Sequence, residues 1–145
     1  MADFRSSELH RNLSVLHVFG LITLIFGITM ALPLGVSRWL DDGASAGFDR
    51  AIAITAVAGA VTWLSTLRYR RELEIRDAFL LVVMVWAVLP AFAALPLHST
   101  IDGLSATDAY FEAVSGITAT GATVLSGLDH LPPSINVWRT QMHWM

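Results

Sequence analysis

The sequence contains no cysteine, and it contains no lysine, so all nine of its cationic side chains are arginine. Without thiols there is no disulfide framework and no thiolate metal centre, and the redox compartment stays open. Charge is also scarce. Asp, Glu, Lys and Arg make up 14% of the residues, against about 25% in ordinary soluble domains. A formal net charge of −3 supplies no basic surface for a nucleic-acid backbone, so no nucleic-acid partner is expected.

The chain is instead apolar, with 54% hydrophobic residues and a mean hydropathy of +0.59. A hydrocarbon layer of about 30 Å is crossed by roughly 20 apolar residues in helical form. Residues 14–36 and 78–97 meet that length without one charged side chain, and residues 51–67 approach it. A soluble chain of this size could enclose one such helix but lacks the polar sequence to cover three. A cleavable leader fits the first run poorly, because it exceeds the usual stretch of about 7–15 apolar residues and no small-x-small site follows it directly. The fold class expected is an all-α membrane protein with three transmembrane helices.

Loop charges give the expected orientation. Residues 68–77 hold four arginines, Arg68, Arg70, Arg71 and Arg76, and acidic residues count little in setting topology. That loop and the N-terminus, with Arg5 and Arg11, are therefore expected in the cytoplasm, and the 37–50 loop outside. Trp39 falls near the outer boundary, where an indole ring is at ease. In the second run Ala51, Thr55 and Gly59 recur every four residues, as do Ala56 and Ala60, which suits close helix packing in lipid. Gly27, Pro33, Pro90 and Pro96 are read as shaping helix ends or kinks. His17, without a sequence partner, is read as a packed histidine rather than a proton relay.

Beyond residue 97 the pattern changes. Ser105 followed by Asp108 has the spacing of a capping box. It opens a short helical pattern from Ala106 to about Ser115, ended by Gly116, that reaches about 15 Å, half a bilayer. A β-branched and small-residue run follows, ITATGATV at 117–124, then a turn-rich exit through Pro132 and Pro133 to a new helix near Ile135. Taken alone, the Thr/Gly run fits either an ordinary surface turn or a re-entrant loop. In a re-entrant loop the short helix would aim its partly negative C-terminus at the membrane centre, and the extended chain behind it would present carbonyl oxygens to a cation. Gly121 allows backbone angles that a β-carbon forbids. Asp108 and Glu112, one turn apart, are read as serving the helix start and holding the loop, with cation concentration at the mouth as the weaker alternative.

The stretch FEAVSGITATGATVLSGLD at 111–129 closely resembles the Trk potassium-uptake membrane subunits, and LPPSINVWRTQMHW at 131–144 resembles the same family. The resemblance extends over the whole chain. It implies two leading transmembrane helices with a cytoplasmic loop over residues 1–77. Residues 78–145 would be the first, truncated helix–pore loop–helix repeat of four around one pore. It further implies that Thr118, Ala119, Thr120 and Gly121 offer backbone carbonyls to potassium, with Gly121 as the filter glycine. Family members often carry threonine where this chain has Ala119. No cofactor is implied beyond potassium as the transported ion, whether transport is channel-like or coupled to protons or sodium. Implied partners are the lipid bilayer, the remaining three pore repeats, a second copy in a homodimer, and a cytosolic nucleotide-binding regulatory subunit of the TrkA type. The implied location is the bacterial inner membrane.

One pore loop cannot surround an ion, so the chain is expected to be an N-terminal fragment that does not conduct alone. A non-conducting assembly subunit is the alternative. Enzyme activity is not expected. Ser115 lies in AVSG rather than a G-x-S-G nucleophile motif, and the histidines at 10, 17, 98, 130 and 143 form no H-E-x-x-H pattern.

Overall fold

The structure, a computed structural model, describes residues 2–69 and 73–145, with side chains from residue 12 onward. Arg70, Arg71 and Glu72 of the arginine-rich loop, and the side chains of Arg5, His10 and Arg11, lie outside the described residues. The helices are α1 (Ala2–Thr29), α2 (Ala31–Leu40), α3 (Ser45–Ser65), α4 (Ile75–Thr100), α5 (Ala106–Ile117) and α6 (Pro133–Met142). Short 3-10 turns occupy Leu67–Tyr69 and Leu128–His130.

Among the described residues, three segments are long and apolar enough to cross a membrane: Asn12–Leu40, Ser45–Ser65 and Ile75–Thr100. Each expected span is present with shifted ends. The second begins six residues before the expected Ala51, because Asp49 and Arg50 belong to its first turns rather than to the preceding loop. Asp49 bonds Arg38 at 2.8 Å on the exposed rim, so these charges need no burial. The third begins at Ile75, where Glu74 and Asp77 form a reciprocal capping box. Helices α1 and α2 read as one span, but the ladder breaks at Met30. Pro33 has no amide hydrogen for the carbonyl of Thr29 four residues earlier. Gln141 of α6 fills that place, donating from Nε2 to the Thr29 oxygen at 2.8 Å.

Helix α1 packs along α3, α4 lies against both, α5 sits on α4, and α6 fits between α2 and α5. Small residues set the α1–α3 approach, as the four-residue spacing predicts: Ala51, Thr55 and Gly59 are buried. A β-carbon on Gly20 would lie 2.7 Å from the Trp63 amide nitrogen, and one on Gly59 would lie 3.0 Å from that of Leu24. Gly27 lies at the end of α1, where its carbonyl accepts from the Met30 amide at 3.3 Å, and rests on Thr55. His17 is buried, stacked on Trp63, with Nδ1 3.3 Å from the Trp63 carbonyl and 3.3 Å from the Thr66 hydroxyl.

The core beneath α6 is aromatic. Trp138 is fully buried, edge-on to Phe26 and Phe48, and donates from Nε1 to the Ala93 carbonyl at 3.0 Å. Tyr110 of α5 donates its hydroxyl to the Ala87 carbonyl at 2.8 Å. These two bonds fasten the two C-terminal helices to α4.

A fourth fastening lies at the α2–α3 loop. The Asp42 carboxylate accepts from the Ser37 hydroxyl at 2.5 Å, the Ala44 amide at 3.1 Å and the Ser134 amide at 2.9 Å, so it caps the first turn of α6. Partial burial raises the Asp42 carboxyl, but the hydrogen bonds from Ser37, Ser134 and Ala44 outweigh this and hold it below its ordinary value.

Candidate functional site

The candidate site is built on α5. Ser105 is its N-cap, with Oγ accepting from the Asp108 amide at 3.1 Å and donating to the Asp108 carboxylate at 2.7 Å. The helix has 12 residues, about 18 Å of rise, too short to span a bilayer. It runs past Gly116 to Ile117. Gly116 is not the terminator that the sequence suggests; it is a packing glycine, where a β-carbon would lie 2.9 Å from the Met142 β-carbon of α6.

Residues 118–121 then turn back on the helix end. The Thr118 amide donates to the Val114 carbonyl and the Ala119 amide to that of Gly116, each at 2.9 Å. The Thr120 and Gly121 amides both reach the Ser115 carbonyl, at 2.9 and 3.5 Å. In a planar trans peptide the C=O points opposite to the following N–H. Because the amides of Ala119, Thr120 and Gly121 face α5, the carbonyls of Thr118, Ala119 and Thr120 face away from it. Among the described residues none of these oxygens, nor that of Gly121, accepts a hydrogen bond.

The extended strand expected here is corrected. Ala119 and Gly121 have φ of 54° and 75°, and Thr120 between them does not share the positive sign. A flat strand would alternate its carbonyls between two faces, whereas backbone of alternating hand gathers successive amides on one side. Gly121 adopts this conformation freely, while Ala119 does so at a cost of roughly 1–2 kcal/mol. The tetrapeptide is exposed in this chain, and a β-carbon on Gly121 would meet nothing within 4 Å. What Gly121 supplies here is therefore φ rather than clearance.

Behind the tetrapeptide the return strand is tied to α5. Ser115 donates its hydroxyl to the Ala122 carbonyl at 2.6 Å. Glu112, 3% exposed, takes three donors on Oε1: a short bond from the Thr123 hydroxyl, the Val124 amide at 2.7 Å and the Leu125 amide at 3.3 Å. Its Oε2 receives Arg139 of α6, from Nε at 3.3 Å and Nη2 at 3.2 Å. Asp108 and Glu112 thus divide the work: Asp108 caps the helix, and Glu112 holds the loop.

Residues 44–145 match the TrkH cation transport protein family. The chain belongs to that family. Along this TrkH-type chain, 132 residues are 42% identical to the Trk system potassium uptake protein TrkH of Halomonas elongata, covering 90% of this chain and 27% of that protein. The Trk system potassium uptake protein TrkI of the same organism is 35% identical over 147 residues, covering all of this chain and 30% of its own length. The crystal structure of the potassium transporter TrkH from Vibrio parahaemolyticus superimposes with a TM-score of 0.84 at 38% identity, covering 91% of this chain and 28% of that one. The TrkH-type chain therefore spans little more than a quarter of the length of these relatives.

Thr118, Ala119, Thr120 and Gly121, singled out from sequence, lie together at the end of α5 in one non-helical turn. Sequence reading missed Arg139 as the partner of Glu112. The signal existed: Glu112 is the only formally charged residue between positions 109 and 128, and Arg139 the only one between 130 and 145. Two opposite charges in otherwise uncharged membrane sequence are each other's natural partners.

Proposed function

We infer that this chain is the front quarter of a potassium-uptake protein, and that the carbonyl oxygens of Thr118, Ala119, Thr120 and Gly121 receive the dehydrated ion. Residues 78–145 form the first of four helix–pore loop–helix units, and residues 1–77 the leading part. One observation carries the reading: the amides of 119–121 are used up on the last carbonyls of α5, which leaves the carbonyls of 118–120 turned outward and unbonded. Each of these peptide dipoles continues the dipole of α5, so the negative end of the helix is delivered at the carbonyl row. Potassium entering that row exchanges water oxygens for peptide oxygens. Because backbone makes the contacts, alanine at 119 serves as well as threonine.

Three further units complete the ring around the ion. The N-terminus and the loop after α3 lie in the cytoplasm of a bacterial inner membrane, as the arginine distribution favours. The whole protein works as a homodimer with a cytosolic nucleotide-binding regulatory subunit of the TrkA type, by channel-like or proton- or sodium-coupled uptake. The test is a chimera in which this chain replaces the matching segment of the Vibrio parahaemolyticus transporter, expressed in cells unable to grow at low potassium. Growth and rubidium uptake by the chimera are expected, with loss of potassium-over-sodium preference in Gly121→Val. An inactive chimera, or an unchanged preference in Gly121→Val, contradicts the reading.

A further inference from the structure

We propose that Glu112 and Arg139 are positioning residues for ion preference: together they hold the 122–125 backbone behind the carbonyl row and so fix where that row stands. This rests on the potassium reading above and names the device that keeps its site in place.

The two oxygens of Glu112 have separate duties. Oε1 takes only donors from the return strand, namely Thr123, Val124 and Leu125, while Oε2 takes only Arg139. Arg139 also reaches the Thr123 hydroxyl, 3.3 Å from Nη2, closing a triangle over the loop. The carboxylate is almost wholly buried, with 2% of its side chain exposed against 15% for Arg139. A buried carboxylate of this kind is costly unless both a counter-ion and hydrogen bonds satisfy it. Four donor residues satisfy it here.

Position explains why this bears on the ion. Glu112 is one turn before Gly116 on the buried face of α5, and Ser115 on the same face holds Ala122. The chain that carries the carbonyl row is therefore pinned on both sides: by α5 carbonyls at residues 118–121, and by Ser115 and Glu112 side chains at residues 122–125. Arg139 ties that assembly to α6, so a shift of α6 is transmitted to the loop through one carboxylate. Preference between ions of equal charge depends on the size of the cavity or on the number and field of the carbonyl dipoles around the ion, and both change when the row is displaced.

The experiment uses the same chimera and compares Glu112→Gln, Arg139→Lys and the exchange Glu112→Arg/Arg139→Glu. The readout is the ratio of the KM for potassium to that for sodium. That ratio does not depend on how much protein reaches the membrane, so a merely destabilised variant leaves it unmoved. Gln retains an acceptor for the loop amides but turns a second donor toward Arg139. Loss of a hydrogen bond to a charged group predicts a shift of roughly tenfold or more in the ratio for Glu112→Gln and Arg139→Lys. The exchange restores opposite charges but faces the Val124 and Leu125 amides with a guanidinium, which cannot accept. Its ratio stays shifted. An unshifted ratio in both single variants, or full recovery of the ratio in the exchange, overturns the proposal. Failure of the unmodified chimera to transport would instead strike at the potassium reading itself. The chain has no cysteine, so in a chimera whose remaining segment is also made cysteine-free, Ala122→Cys gives a second, independent readout. Thiol labelling at that position is expected to quicken when Glu112→Gln is added, and equal rates count against the clamp.

Discussion

Gln141 and Thr29, 112 residues apart, are joined by a single hydrogen bond of 2.8 Å from side-chain amide to backbone carbonyl. The carbonyl is free because Pro33 stands four residues on. A proline in one helix thus creates the acceptor that seats another. The coupling can be measured. Gln141→Ala should destabilise the chimera in detergent by about 1 kcal/mol, the cost of an unsatisfied, half-buried carbonyl. In a Pro33→Ala background, where residue 33 again has an amide hydrogen, the same substitution should cost distinctly less. Thermal or denaturant unfolding of the four proteins checks the cycle; strictly additive costs would show that the proline and the glutamine act independently.

Glycines in this fold separate into two kinds. Gly20 would place a β-carbon 2.7 Å from the Trp63 backbone nitrogen, whereas a β-carbon on Gly35 of α2 meets nothing within 4 Å. Gly20→Val should force α1 from α3 and cost roughly 3 kcal/mol or more, at the severe end of overpacking. Gly35→Ala should be neutral or stabilise by up to about 1 kcal/mol through helix propensity. Unfolding midpoints of the two variants beside the parent protein decide the matter, and similar losses in both would contradict the packing described.

Asp42 makes stability depend on acid. Its folded-state carboxyl lies below the ordinary value of 3.8, so the contribution is present above that value and is lost as pH falls through the lower folded one. Asp42→Asn removes the titration. The stability gap between parent and variant should be constant at neutral pH and close progressively below about pH 4. Unfolding measured from pH 7 to pH 3 tests this, and a gap that widened on acidification would have the wrong sign. Because Asp42 ties the α2–α3 loop to Ser134, hydrogen exchange at the first turn of α6 should rise over the same acid range.

The parts legible in sequence were those that depend on local pattern. Apolar runs gave three spans, four-residue spacing gave the Ala51–Thr55–Gly59 face, and the Ser105–Asp108 spacing gave the cap of α5. The errors were of two kinds. Charges near a helix end read as loop, which hides the first turns of α3, although Asp49 and Arg38 satisfy each other at the rim. Gly116 is expected to end α5, yet it lies within the helix and its lack of a side chain is the point, since Met142 occupies that space. What sequence could not supply was pairing across distance between uncharged or loop partners: Asp42 with Ser134 and Thr29 with Gln141. Each depends on where α6 lies, and no local signal in the first hundred residues specifies that. The alternating hand of residues 118–121 was likewise illegible, because alanine at 119 ordinarily favours negative φ.

The central claim is that the carbonyls of Thr118, Ala119, Thr120 and Gly121 coordinate potassium. Crystals of the chimera soaked in rubidium or thallium salts test it most directly, through the anomalous signal of the heavier ion. Peaks are expected in direct contact with these four oxygens and should disappear in sodium. Peaks found only elsewhere along the pore, with these oxygens facing water or protein, would contradict it.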